Sequence, residues 1–132
     1  MSRSKIQTVN PTTQAVAVNG IISLGSVLRR YGCNCKLSGN AIEISGCGYY
    51  DVTAAVTVEP TAAGQTVVSL FENGNTVPSA YGEGTAAAAG DPVTVPIVTT
   101  VRLFENGTSN LTFVLTEGAG DVTNISVRVD KG

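Results

Sequence analysis

The chain has 132 residues, enough for one domain with a two-layer core, and carries 8 Lys and Arg against 10 Asp and Glu with no histidine. Charged residues make up only 14% and scatter in both signs, which excludes a phosphate-tracking nucleic-acid surface, and the missing histidine excludes Ser-His-Asp and Cys-His machinery. No apolar run approaches the ~18 residues of a membrane span, and no apolar segment follows Arg3 and Lys5 as in a signal peptide. The expectation is a chain made in a cytoplasm, with no membrane partner.

Residues 1–12 are polar and end near an Asn10-Pro11 turn signal, so they predict a flexible N-terminal arm ahead of a single domain over 13–132. Residues 14–18 alternate weakly, and Asn19-Gly20 is a tight-turn dipeptide. Ile22, Leu24 and Leu28 share a parity, and the Leu28-Arg29-Arg30 end is compatible with a helical turn, although Gly20, Gly25 and Gly32 exclude a long helix. Residues 34–37 and 41–45 predict a hairpin around Ser38-Gly39-Asn40. Three cysteines, Cys33, Cys35 and Cys47, leave at least one thiol unpaired within the chain; Cys-x-Cys is not a zinc spacing, so they read as small core residues.

Residues 47–59 are the clearest strand in the first half. Tyr50, Val52, Ala54, Val56 and Val58 fall on one face, while Tyr49, Asp51, Thr53, Thr57 and Glu59 fall on the other, and Pro60 ends the ladder. The next strand, 66–72, is different: Val67, Val68, Leu70 and Phe71 put apolar side chains on both faces, which predicts that its outer face meets another subunit. Asn73-Gly74 turns the chain into a short strand over 77–81 interrupted by Pro78, and 82–90 reads as a small-residue loop or flat edge strand.

Residues 93–105 form the longest alternating run, and Pro92 and Pro96 place its first half at an edge or bend. Leu111, Phe113 and Leu115 point inward on the strand over 111–116. Gly118-Ala119-Gly120-Asp121 turns into 122–130, where Val122 is out of parity with Ile125, Val127 and Val129, as a bulge requires. The repeat of Leu-Phe-Glu-Asn-Gly at 70–74 and 103–107 reads as two strands that share one turn chemistry. Many short strands with regular turn signals predict an all-β antiparallel sandwich or jelly roll.

No active site is visible. Asp51, Glu59, Glu72, Glu83 and Glu105 are dispersed, so neither a catalytic carboxylate pair nor a metal site is expected, and no phosphate-binding glycine loop precedes a helix. The expectation is a protein that is not an enzyme and needs no cofactor. Asn106, Asn110 and Asn124 match the glycosylation pattern incidentally.

Gly48-Tyr49-Tyr50-Asp51-Val52 resembles the Gly-x-Tyr-x-Val signature of tumour-necrosis-factor-like and complement-type globular heads. Leu70-Phe71-Glu72-Asn73-Gly74 and the closing stretch Ile125 through Lys131 are similar to the matching strands of bacterial and phage members, so the likeness covers roughly residues 40–131. The resemblance implies a ten-stranded jelly roll that assembles as a homotrimer, with Val67, Phe71, Phe104 and Val114 near the threefold axis. A chain of this size without Gly-x-y tracts looks like a phage capsid decoration or head-fibre protein. Its expected partners are two further copies of itself and the phage major capsid protein, docked through an arm bearing Arg3 and Lys5. The expected location is the virion surface after synthesis in the bacterial cytoplasm. The alternative is a receptor- or glycan-binding fibre tip or spore-surface head, which contacts a host-surface glycan through loops bearing Asn75, Val77 and Tyr81.

Overall fold

The computed structural model describes residues 4–32, 34–103 and 107–131, and within them all side chains but those of Pro78 and Ser79. Twelve strands form among these residues: β1 (Ser4–Asn10), β2 (Gln14–Val16), β3 (Gly20–Ile21), β4 (Ser26–Tyr31), β5 (Cys35–Ser38), β6 (Ala41–Ser45), β7 (Gly48–Pro60), β8 (Gly64–Glu72), β9 (Asn75–Ala86), β10 (Val93–Leu103), β11 (Thr108–Glu117) and β12 (Gly120–Lys131). They build two antiparallel sheets. Sheet A runs β10-β7-β12-β1-β4, with β2 on β12; sheet B runs β5-β6-β11-β8-β9, with β3 on β11.

The alternation seen in β7 is what joins the sheets. Tyr50, Val52, Val56 and Val58 are fully buried and meet Leu70, Leu111, Phe113 and Leu115 from sheet B in one core. The predicted hairpin is β5–β6, with Ser38 opposite Ala41. The bulge expected at Val122 is present, since the β12–β7 register shifts between Val122 and Asn124. Pro96 sits on β10, an edge strand of sheet A, where its missing N–H breaks no ladder bond to a further strand.

Three expectations are corrected and one alternative is decided. The arm expected over residues 1–12 is, from Ser4 to Asn10, the strand β1, held between β12 and β4 with Ile6 and Thr8 buried. The Leu28-Arg29-Arg30 stretch is part of β4, an edge strand, and not a helical turn. Asn19-Gly20 does not turn a hairpin: β2 pairs in sheet A and β3 in sheet B, so the turn, with Asn19 at φ 67°, carries the chain from one sheet to the other. Residues 82–90, read as a loop or a flat edge strand, are an edge strand as far as Ala86, continuous with the strand expected over 77–81 as β9.

The glycines that disguised β9 are where the sandwich closes along one side. A Cβ on Gly82 would lie 2.3 Å from the Pro96 carbonyl oxygen, and one on Gly84 would lie 2.3 Å from the Val93 side chain. Only hydrogen fits there, so β9 can lie hard against β10.

A polar knot ties β1 and β6 together at one end of the sandwich. Ser4 Oγ donates to Asn34 Oδ1 at 2.8 Å, and Asn34 Nδ2 donates to the Ser45 carbonyl at 2.7 Å. The Tyr50 hydroxyl faces the same Ser45 carbonyl and that of Gly46. Burial raises the Tyr50 phenol from 10.0 to about 12, and Cys35 adds to the rise. Burial, then the charge of Asp130, pushes the Cys35 thiol from 9.0 to about 11. Of the cysteines read as core, Cys35 is buried, Cys47 is exposed at the β6–β7 turn, and Cys33 lies outside the described residues.

Candidate interaction surfaces

With the core filled, function rests on the two outward faces. The register sets the outward side chains of sheet A in rows. One runs Tyr31, Lys5, Asp130, Asp51, Thr100; the next Arg29, Gln7, Arg128, Thr53, Val98; a third Ser26, Val9, Ser126, Ala55, Pro96. Asp51 and Asp130 face each other directly, an unfavourable like-charge pair. Each is offset locally, Asp51 accepting from Thr100 Oγ1 at 2.9 Å and Asp130 pairing with Arg128 at 3.4 Å. At the end of the face, the Arg102 guanidinium lies over the Tyr49 ring at 5.3 Å.

The middle of that face is low because Thr53, Ala55 and Ser126 are short. A hollow of about 370 Å³ opens there, bounded by Gln7, Arg128 and Val98. Val98 is 74% exposed, the most exposed large apolar side chain among the described residues. Its signal in the sequence is that it breaks the polar parity of Thr94, Thr100 and Arg102 on β10.

The outward face of sheet B carries a cross-strand row Ile21, Val114, Ser69, Tyr81. Phe71 lies beside it between Thr112 and Thr76, and Val67 lies between Glu117 and Glu83. Thr116 Oγ1 donates to the Val67 carbonyl at 3.2 Å and lies 3.3 Å from Ser69 Oγ, so the polar members of this face satisfy one another.

The residues expected at a subunit contact are therefore brought together in part. Val67, Phe71 and Val114 share the outer face of sheet B with Tyr81, which had been assigned to a separate loop surface. The chain itself covers much of them: Val114 is 7% exposed and lies beside Ile21 of β3, while Val67 and Phe71 are half-buried. Asn75, Val77 and Tyr81 sit on β9 and not on a loop, and Tyr81 alone of the three is a large exposed side chain. Lys5 projects from β1, between β12 and the edge strand β4 of sheet A. Arg3 and Phe104 lie outside the described residues. Among the described residues, no three His, Cys, Asp or Glu side chains cluster to hold a metal ion.

No protein-family model matches the sequence, and no curated protein matches it. Solved structures match the fold over nearly the whole chain. Eiger, a tumour necrosis factor from S. frugiperda, aligns with a TM-score of 0.71 at 10% identity, covering 98% of this chain and 91% of that one. The globular domain of zebrafish complement 1qA aligns at 0.66 and 9% identity, covering 96% and 94%. The vertex protein P5 of PRD1 aligns at 0.55 and 12% identity, covering 97% and 96%. At these identities the likeness is one of fold: the chain is a tumour-necrosis-factor-like jelly roll, as its short motifs imply.

Proposed function

We propose that this chain is a non-enzymatic structural protein of a bacteriophage virion, a homotrimeric jelly roll that decorates or projects from the shell and binds the major capsid protein. The observation that carries the self-association is Val98 beside its hollow on the outer face of sheet A. A threefold contact is heterologous: one patch of a protomer meets a different patch of the next, and the rotation closes after three copies. Val98 at the β10 edge and the low ground over Thr53, Ala55 and Ser126 are such a pair, a knob and a hole on one face. Val67, Phe71 and Val114 are then sealed mainly within each protomer, and the face that bears them points away from the axis.

The virion assignment draws on fold company, since one matched structure is a vertex protein. The experiment is co-sedimentation of the purified chain with cognate shells lacking it, paired with native mass by light scattering. Binding at a saturable ratio of three chains per site supports the reading. A trimer that binds no shell position removes the virion role and leaves the fold and assembly standing.

A further inference from the structure

Charge divides between the two sheets. The strands of sheet B carry one cation, Lys36, against Glu43, Glu72, Glu83 and Glu117. The strands of sheet A carry six cations, Lys5, Arg29, Arg30, Arg102, Arg128 and Lys131, against four acids. Lys36 is committed to Glu43 at 3.4 Å, at the far side of sheet B from Tyr81. Around the row Ile21, Val114, Ser69, Tyr81 the charged side chains are therefore acidic: Glu83 on β9 and Glu117 on β11, either side of Val67.

Ile21 is 52% exposed and Tyr81 55% exposed at the two ends of this row, with half-buried Phe71 and Val67 beside it. Three strand spacings of about 4.8 Å make the row about 14 Å long, the reach of a four- or five-residue extended segment. Its backbone is not available for strand addition, because β8 is paired on both sides and the free side of β9 is closed against β10. Recognition must come through side chains.

We infer that the outer face of sheet B is a docking surface for an extended protein segment that presents both kinds of side chain on one side, an aliphatic or aromatic residue and a lysine or arginine two positions apart. The apolar side chains of such a segment lie against Ile21 and Tyr81, and its cations meet Glu83 and Glu117. A second copy of this chain is the poorer occupant, since pairing like faces sets Glu83 and Glu117 against their own copies. The inference does not rest on the trimer, which uses the opposite sheet.

The test uses the full chain and two fluorescent octapeptides, Val-Ser-Lys-Ser repeated twice and Val-Ser-Glu-Ser repeated twice, with binding mapped by amide NMR. The lysine peptide is expected to bind about tenfold tighter than the glutamate peptide and to shift the amides of Ile21, Ser69, Tyr81 and Val114. Tyr81→Ser and Glu83→Gln, both at exposed positions, should each weaken it about threefold. Equal binding of the two peptides, shifts confined to sheet A, or variants that bind like the parent overturn the inference. So does a native mass that climbs with concentration and falls back in Tyr81→Ser, which assigns the face to a second copy. Light scattering on the same samples keeps the two readings separable: a monomer that binds the lysine peptide through these residues sinks the trimer and retains the docking surface.

Discussion

Val98→Glu is the sharpest test of how the chain assembles. Full burial of a valine side chain is worth roughly 1.5–2 kcal/mol, and three quarters of Val98 remains to be covered, so each copy contributes about 1–1.5 kcal/mol and a trimer about 4 kcal/mol. A carboxylate forced into the same dry contact adds a penalty on the order of 3 kcal/mol per copy, because Arg128, the cation that bounds the hollow, is already matched by Asp130. The combined loss of about 13 kcal/mol moves a micromolar assembly beyond any accessible concentration. Within a protomer the substitution is mild, within about 1 kcal/mol, since position 98 is solvent-facing opposite Thr53. Light scattering and thermal melts read the two effects separately. The expected result is one chain mass for Val98→Glu, three for the parent and for Tyr81→Ser, and closely similar melting of the dissociated folds. A Val98→Glu chain that keeps the parent mass refutes the use of this face, and a parent that is itself monomeric refutes the trimer.

Other consequences follow from the core. Ile6→Ala should destabilise the fold by about 2–4 kcal/mol in urea melts, because β1 is an interior strand with Ile6 fully buried; a change below about 0.5 kcal/mol would restore the view of this segment as an arm. Gly82→Ala should cost about 1–3 kcal/mol by forcing β9 off the Pro96 carbonyl, read as a lower melting temperature. Stability should fall in alkali. The Cys35 thiol and Tyr50 phenol are raised to about 11 and about 12 in the folded state, so the folded chain holds protons that the unfolded chain releases. Their contribution is whole below about pH 9 and is lost as pH rises through about 11 and 12; Cys35→Ala should delay the onset to about pH 10, and a flat urea midpoint from pH 8 to 11 would contradict the assignment.

The strands legible in the sequence are those whose inward positions are uniformly apolar. β7 offers Tyr50, Val52, Ala54, Val56 and Val58, and β12 offers Ile125, Val127 and Val129. β1 fails that criterion although it is equally interior. Its inward positions are Ser4, Ile6 and Thr8, and Ser4 is buried because Asn34, from a distant part of the chain, bonds to it. β9 fails for the opposite reason, since Gly82 and Gly84 punctuate a sequence but in the fold mark where β10 leaves no room for a side chain. The two-sided character of β8 predicts a subunit contact, and the fold sets Val67 and Phe71 half-buried on the outer face of sheet B. Period-two reasoning could not tell which sheet β8 joins, nor that Ile21 would lie beside Val114. Surplus apolar residues were visible in the sequence, but the sheet topology decides which of them remain uncovered.

The charge division between the sheets also constrains the assembly, and salt exposes it. Val98 lies on β10 and Arg29 on β4, at opposite edges of sheet A and four strand spacings apart, or about 19 Å. Seating Val98 over Thr53, Ala55 and Ser126 sets the contact on β10, β7 and β12 and leaves Arg29, on the β4 edge, outside it. The nearer cations are already matched, Arg128 by Asp130 and Arg102 by the Tyr49 ring. The subunit contact is thus apolar and locally neutral, and raising the salt from about 0.1 M to 1 M, which shortens the screening length from about 10 Å to 3 Å, should leave the native mass unchanged. Binding of the lysine peptide to sheet B faces Glu83 and Glu117 and should weaken over the same range. A trimer that dissociates in salt would place charged residues at the contact and move it off Val98; a lysine peptide indifferent to salt would remove the acids from the docking surface.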